Sequence, residues 1–147
     1  MQQNQLTGKA LKLTWAAQIL AAVILGQTLF FKFTGAPEAV ELFTTLGVEP
    51  FGRIGLGVVE LVTVILLLVP RTAALGGLVT LGLMLGAVGS HLTVLGIEVA
   101  GDGGTLFGMA VVTALAGGVI AFTRRAELPL VGERFVTAVD HRGSIAG

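Results

Sequence analysis

Four long apolar runs constrain this chain more than any other feature. They extend roughly over Leu11–Phe31, Gly52–Val69, Thr72–Leu95 and Thr105–Phe122. Each approaches the ~20 residues that a helix needs to cross a hydrocarbon core of about 30 Å. In lipid a backbone must satisfy its own hydrogen bonds, and runs without strand-like alternation do so as helices. The chain is 54% hydrophobic and only 12% charged, against about 25% charged in a soluble domain. So few charges cannot cover a globule in water. The expected fold class is an all-α membrane protein, a bundle of four transmembrane helices. The expected organisation is a transmembrane domain over 1–123, with helices at about 11–31, 52–69, 72–95 and 105–122, and a cytoplasmic tail over 124–147.

Breakers divide the runs. Pro70-Arg71 imposes a tight turn between the second and third helices. Gly101-Asp102-Gly103-Gly104 separates the third from the fourth. The longer link from Thr34 to Pro50 carries Val40, Leu42, Phe43 and Leu46 near helical spacing, with Pro37 suited to a first turn and Gly47 to a C-cap. A short interfacial helix is predicted there between helices 1 and 2, with an ordinary loop as the alternative. The first run has a basic start at Lys9 and Lys12, but it exceeds the ~7–15 apolar residues of a signal core and lacks a small-residue cleavage site. It reads as a retained helix, with Trp15 as a membrane anchor. The second run is the shortest, and snorkelling of Arg53 and Arg71 would extend it.

Basic residues set the orientation. Lys9, Lys12, Arg71, Arg124, Arg125, Arg134 and Arg142 fall on one side, against Lys32 and Arg53 on the other. The expected location is the plasma membrane, multi-pass, with both termini cytoplasmic. Two stripes of small residues, Gly82/Gly86/Ser90 and Ala110/Ala114/Gly118, are expected to let helix backbones approach closely, and a homo-oligomer through either stripe is an option. The tail offers a short surface helix around Val131 to Val139, or disorder.

Several chemistries are excluded. The chain has no cysteine, so it contains no disulfide exchange, iron–sulfur ligation or thiolate zinc site. Its two histidines, His91 and His141, the second in the polar tail, do not suit an intramembrane bis-histidine haem, and no metal site is expected. Net charge is zero with scattered basic residues, so nucleic acid is not an expected partner. No phosphate loop, nucleophile elbow or zinc signature is present.

Glu60 is the residue that asks for a function. It interrupts the run Ile54–Val69, and a carboxylate at bilayer depth costs several kcal/mol unless paired, protonated or wet. Counting about 1.5 Å per residue, Glu60 lies about 10 Å inward of Arg53, Gln27 about 7.5 Å inward of Lys32, and His91 about 30 Å beyond Arg71. All five therefore fall in the outer half of the bundle. Glu60 is expected to accept from Gln27 or Arg53, or to share a proton with His91, since a histidine beside a carboxylate can relay protons. Phe30, Phe31, Phe33, Phe51 and Phe107 crowd the same level, with Phe43 in the link. An aromatic pocket with a few polar groups at one end suits a ring-bearing, lipid-soluble ligand such as a quinone. Plainer readings stand beside these: a structural Glu60–Arg53 pair, Lys32 as a snorkelling anchor, Gln27 as interhelical glue, and the phenylalanines as an interfacial belt.

Lys32-Phe-Thr-Gly35, Leu42-Phe43, Leu46-Gly47, Gly57-Val-Val-Glu60, Leu66-Leu-Leu-Val-Pro70-Arg71 and His91, in this order and spacing, resemble the DoxX-like family over about Leu13 to Phe122. The resemblance implies a four-helix membrane bundle, with relatives that resemble the membrane subunits of thiosulfate:quinone oxidoreductase or join oxidative-stress complexes. It marks Lys32, Glu60 and His91 as hallmark positions. The scaffold also resembles quinone-linked thiol oxidoreductases, but without cysteine that chemistry does not transfer. The leading reading is a redox-linked membrane subunit in the lipid bilayer. Glu60 and His91 would handle protons, and Lys32, Arg53 and Gln27 would contact the ligand. The cofactor expectation is none within the chain beyond a quinone, with a membrane or peripheral oxidoreductase as partner. The alternatives are a non-enzymatic assembly or stabilising subunit, and a proton or small-solute pathway.

Overall fold

A computed structural model describes residues 8–128 of the chain. The expectations for the tail helix around Val131 to Val139, and for His141, lie outside those residues. The described elements are α1 (Gly8–Thr34), α2 (Pro37–Thr45), α3 (Phe51–Leu68), α4 (Ala73–Ser90) continued by a π-turn (His91–Leu95), and α5 (Thr105–Thr123), followed by a 3₁₀ turn (Arg125–Glu127). Among the described residues there is no strand. Four helices are long and apolar enough to span a membrane: α1, α3, α4 with its π-turn, and α5. The short α2 begins on Pro37 as predicted and inserts one buried side chain, Phe43.

The helices form a closed ring in which α1 packs on α3, α3 on α4, α4 on α5 and α5 back on α1. Two ends result. The terminal end carries the start of α1, the end of α5 and the turn between α3 and α4. The α2 end carries α2, the π-turn and the loop before α5. At the terminal end, Thr72 donates its hydroxyl to the Leu66 carbonyl at 2.9 Å, satisfying one of the open carbonyls at the end of α3.

Large aliphatic residues such as Leu13, Val23, Leu85 and Leu115 point outward, where lipid solvates them as well as a protein core would. The interior is built from small and polar side chains. Of the eight large fully buried side chains, five are polar: Thr14, Gln18, Thr63, Thr80 and Thr113. Burial of an apolar surface gains little between helices in lipid, so close van der Waals contact and interhelical hydrogen bonds must hold the ring.

The close contacts are not where the small-residue stripes predicted them. A side chain added at Gly82, Gly86 or Gly118 would meet no other residue within 4 Å. Those three glycines do not pack this bundle internally, although Ala110 lies in the core and Ala114 packs against it. The tight crossing uses Gly76, Gly77 and Gly117 instead. A Cβ at Gly77 would lie 2.7 Å from Ile120 Cγ2 and 2.9 Å from the Ala121 nitrogen. One at Gly117 would lie 2.9 Å from both the Gly77 oxygen and the Leu81 nitrogen. One at Gly76 would lie 2.9 Å from the Leu67 nitrogen. Spacing does not fix helix rotation, and rotation decides which glycines touch.

Because backbone atoms cannot move aside cheaply, Gly77→Ala and Gly117→Ala are each expected to destabilise the bundle by about 1–3 kcal/mol. Gly82→Ala, facing open space, is expected to be neutral or to stabilise by up to about 1 kcal/mol through helix propensity. Thermal unfolding of the three variants in detergent measures the contrast.

Candidate functional site

The interior face of α1 carries Thr14, Gln18, Ala21, Ala22, Leu25 and Leu29, and the same helical spacing continues through Thr28 to Lys32. Lys32 sits two residues before the end of α1, and its stem runs back along the bundle to Glu60 in the middle of α3. The ammonium lies 2.9 Å from Glu60 Oε2, with both side chains largely buried. Thr28 Oγ1 lies 3.1 Å from the same oxygen and 2.8 Å from the Leu25 carbonyl. A hydroxyl has one proton, so Thr28 can donate to only one of these acceptors at a time. Glu60 Oε1 makes no hydrogen bond among the described residues, since both contacts fall on Oε2.

Gly57 makes this pair fit. It precedes Glu60 by one turn on the same face of α3. A Cβ there would lie 3.1 Å from Phe33 Cε1 and 3.6 Å from Lys32 Cβ. The missing side chain lets the end of α1 lie against α3 at the level where Lys32 must descend.

The structure brings Glu60 to a different partner than expected. Arg53 does not reach it. Its Nε lies 2.9 and 3.0 Å from the two Glu49 oxygens, and its Nη2 lies 2.8 Å from Glu49 Oε1. Its Nη1 donates to the Lys32 carbonyl, one of the open carbonyls at the end of α1, where a cation is favoured. Gln27 is exposed, with Nε2 directed to Met109 Sδ at 3.6 Å. His91 is buried, but its Nδ1 bonds the Gly96 carbonyl at 2.8 Å and its ring packs edge-on against Phe107 with centroids 5.6 Å apart. A carbonyl only accepts, so Nδ1 carries the proton. This side-chain contact, with the Gly96 amide donating to the His91 carbonyl, winds the predicted last turn of the helix as a π-turn.

Height separates Glu60 from His91. Glu60 lies eight residues, about 12 Å, from the α3–α4 turn, and His91 lies eighteen residues, about 27 Å, from the same turn. A difference of about 15 Å exceeds the reach of both side chains, which is why the expected proton sharing between them is not formed. Phe30, Phe31, Phe33 and Phe51 are exposed on the outside of the bundle.

A second polar cluster closes the terminal end and was not anticipated from sequence. Gln18 is fully buried and donates from Nε2 to the Leu67 carbonyl at 2.6 Å. Arg124, also buried, donates from Nε to Gln18 Oε1 at 2.8 Å and pairs with Glu127 at 3.0 Å. Its guanidinium lies 5.8 Å from the Trp15 ring. Thr14 and Thr123 are joined at 2.9 Å. The cluster ties α1, α3 and α5 together. The available signal was the interior spacing of Thr14 and Gln18, one turn apart on the face that later carries Thr28 and Lys32.

Among the described residues no group of three histidine, aspartate or glutamate side chains converges as a metal site. The arrangement offers instead a buried cation and carboxylate at mid-bundle, with one carboxylate oxygen uncommitted.

The DoxX-like family matches the chain over residues 16–116. No curated protein and no solved structure gives a significant match.

Outside the spans, Asp102 organises the loop before α5. Its Oδ1 accepts from the Val99 and Gly104 amides at 3.0 and 2.8 Å, and its Oδ2 from the Leu106 amide at 2.9 Å. The Leu106 bond first, then those from Val99 and Gly104, hold this carboxyl below its ordinary range. A depressed carboxyl stabilises the fold above its unfolded pKa of about 3.9 and loses that contribution as pH falls through the folded value. Asp102→Ala is therefore expected to lower the melting temperature at neutral pH. Its difference from wild type should shrink below about pH 4 as the wild-type carboxyl titrates, read from melting curves between neutral and acid pH.

Proposed function

The chain belongs to the DoxX-like family and is an integral membrane protein; on that footing we propose that it is a redox-linked membrane subunit. In this reading it holds a quinone-type lipophilic molecule in the half of the bundle nearest α2. The observation that carries the reading is the buried Lys32–Glu60 pair, 2.9 Å apart, within a helix ring that faces lipid. A quinone carbonyl needs a hydrogen-bond donor in an apolar setting, and the Lys32 ammonium is one. Its proton balance needs an acid or base at the same place, and Glu60, with one free oxygen, is that group. Electrons would come from an oxidoreductase partner, since the chain carries no flavin or metal motif. His91 and Arg53 belong to the outer wall of the site, stabilising the π-turn and the end of α1, and Gln27 to its exposed rim. The proposal places both termini in the cytoplasm. Lys9, Lys12, Arg71, Arg124 and Arg125 gather at the terminal end, against Lys32 and Arg53 at the other.

Removing one member of a buried ion pair leaves the other uncompensated, at a cost of about 3–5 kcal/mol. Lys32→Met and Glu60→Gln are each expected to destabilise the protein, and the double variant to recover much of the loss. Binding is the decisive readout. With a short-chain benzoquinone followed by quenching of Trp15 fluorescence or by calorimetry, Lys32→Met and the double variant, which lose the donor to the quinone carbonyl, should bind at least about tenfold more weakly. Unchanged affinity in a folded double variant would end the quinone reading.

One observation favours a second reading, an assembly subunit. Gly82 and Gly86 open outward, so their small-residue stripe can receive another helix, from a second copy or from a partner complex. Gly86→Leu is then expected to abolish co-purification of that partner, or dimer formation in detergent, without loss of fold. Glu60→Gln should leave the association intact. Association that survives Gly86→Leu would remove this reading.

A further inference from the structure

Thr113 on α5 presents the one buried side-chain oxygen or nitrogen among the described residues that has no hydrogen-bond partner. The contrast with its neighbours is sharp. Thr14, Thr63 and Thr80 are equally buried, yet each returns its hydroxyl to the carbonyl four residues earlier, at 2.8, 2.7 and 2.8 Å. Thr113 does not. An unmet buried hydroxyl is destabilising, and helical threonine has a local remedy that this residue leaves unused.

The level of Thr113 in the bundle can be reached through measured contacts. Gly76 lies against Leu66 and Leu67, and Gly117 against Thr80 and Leu81. From Gly76 to Thr80 is about 6 Å along α4, and from Gly117 to Thr113 is about 6 Å further toward the α2 end. Thr113 thus stands about 12 Å above Leu66–Leu67, and Glu60 about 10 Å above them on α3. The unpartnered hydroxyl and the carboxylate with its uncommitted Oε1 share one layer of the interior. Both residues are more than nine-tenths buried, and of the two oxygens Thr113 Oγ1 is the fully enclosed one.

The geometry points to a single buried site between Glu60 and Thr113 that takes an O–H group. Such a group donates to Glu60 Oε1 and accepts from Thr113 Oγ1, satisfying both atoms at once. A second carboxylate or a bare carbonyl cannot donate to Glu60. An ammonium cannot accept from Thr113. The chemistry that fits is a hydroxyl, supplied either by an internal water or by the ring hydroxyl of a hydroquinone. In the ring-hydroxyl form the inference rests on the function proposed above, and it makes Thr113 a residue that favours the reduced ligand over the oxidised one. In the water form it stands without that function.

Thr113→Val keeps the shape and removes the hydroxyl, and Thr113→Ser restores it. Both are tested in the full chain, in detergent or in lipid nanodiscs, with melting curves to verify fold. The melting temperature of Thr113→Val without added ligand is expected to equal or exceed wild type in the ring-hydroxyl form, where the empty site leaves Thr113 unsatisfied, and to fall below it in the water form, where a bridging water is lost. With a short-chain hydroquinone and the matching benzoquinone as probes, Thr113→Val is expected to lose roughly tenfold in hydroquinone affinity, with benzoquinone affinity unchanged and Thr113→Ser close to wild type. That result identifies the ring hydroxyl. If neither probe binds wild type, infrared difference spectra between wild type and Thr113→Val decide the water form. The expected signature is loss of an ordered-water band that shifts in heavy-oxygen water, together with a shift of the band assigned to Glu60 by Glu60→Gln. That outcome supports the site while ending the quinone reading. If Thr113→Val alters neither hydroquinone affinity nor the Glu60 band, the site is overturned. Sensitivity of ligand binding to Lys32→Met/Glu60→Gln would in that case leave the proposed function standing.

Discussion

Lipid removes the force that ordinarily brings helices together. An apolar side chain is as well solvated by acyl chains as by another helix, so this ring must be held by backbone approach and polar contact. Both are visible, and they divide the labour by position. On the α4–α5 side, Gly77 and Gly117 bring two backbones within a distance that no side chain could share. On the α1 side, polar contacts do the joining: Gln18 to the Leu67 carbonyl and to Arg124, Thr14 to Thr123, and Lys32 and Thr28 to Glu60. The inverted interior, threonine and glutamine inside with leucine outside, follows from the same constraint.

The ion pair at Glu60 belongs to that scheme but does more than it requires. A buried pair is weak evidence of stabilisation, since desolvation of two charges offsets much of their attraction. Hydrogen bonds from small polar residues would have joined α1 to α3 at less cost, as Gln18 does one layer away. The excess is chemical. A carboxylate with one oxygen held by an ammonium and a hydroxyl, and the other uncommitted, is poised to engage something further. Thr113 supplies a second unsatisfied group at the same height. Under the function proposed above, the interior of the bundle would accommodate a ligand's polar end, while the phenylalanines at the α2 end are exposed on its outside.

Much of the fold was legible in the sequence because hydropathy and breakers are local. The spans, the short α2 on Pro37, and the tight turn at Pro70 are all where run lengths and proline chemistry put them. The π-turn at His91 was not legible, since it depends on a side chain capturing the carbonyl of Gly96. The site was legible as a set of depths and not as a set of contacts. Glu60 and Lys32 were both singled out, but Lys32 reads equally well as an anchor. Only its path along Gly57 shows that it turns inward. Arg53 looked like the natural partner on the same face of α3, yet Glu49 and the end of α1 claim it.

By itself the sequence determined that this chain has four runs long and apolar enough to cross a membrane, where it turns, and that an acid interrupts the second run. These follow from solvation and chain geometry, which act residue by residue. Tertiary structure decided which glycines touch, which cation Glu60 keeps, and that Thr113 is left without a partner. Those depend on the rotation of each helix about its axis. In an α-helix a turn of 100° per residue exchanges an interior position for a lipid-facing one, and in a chain that is apolar on every side the hydrophobic pattern does not fix that rotation.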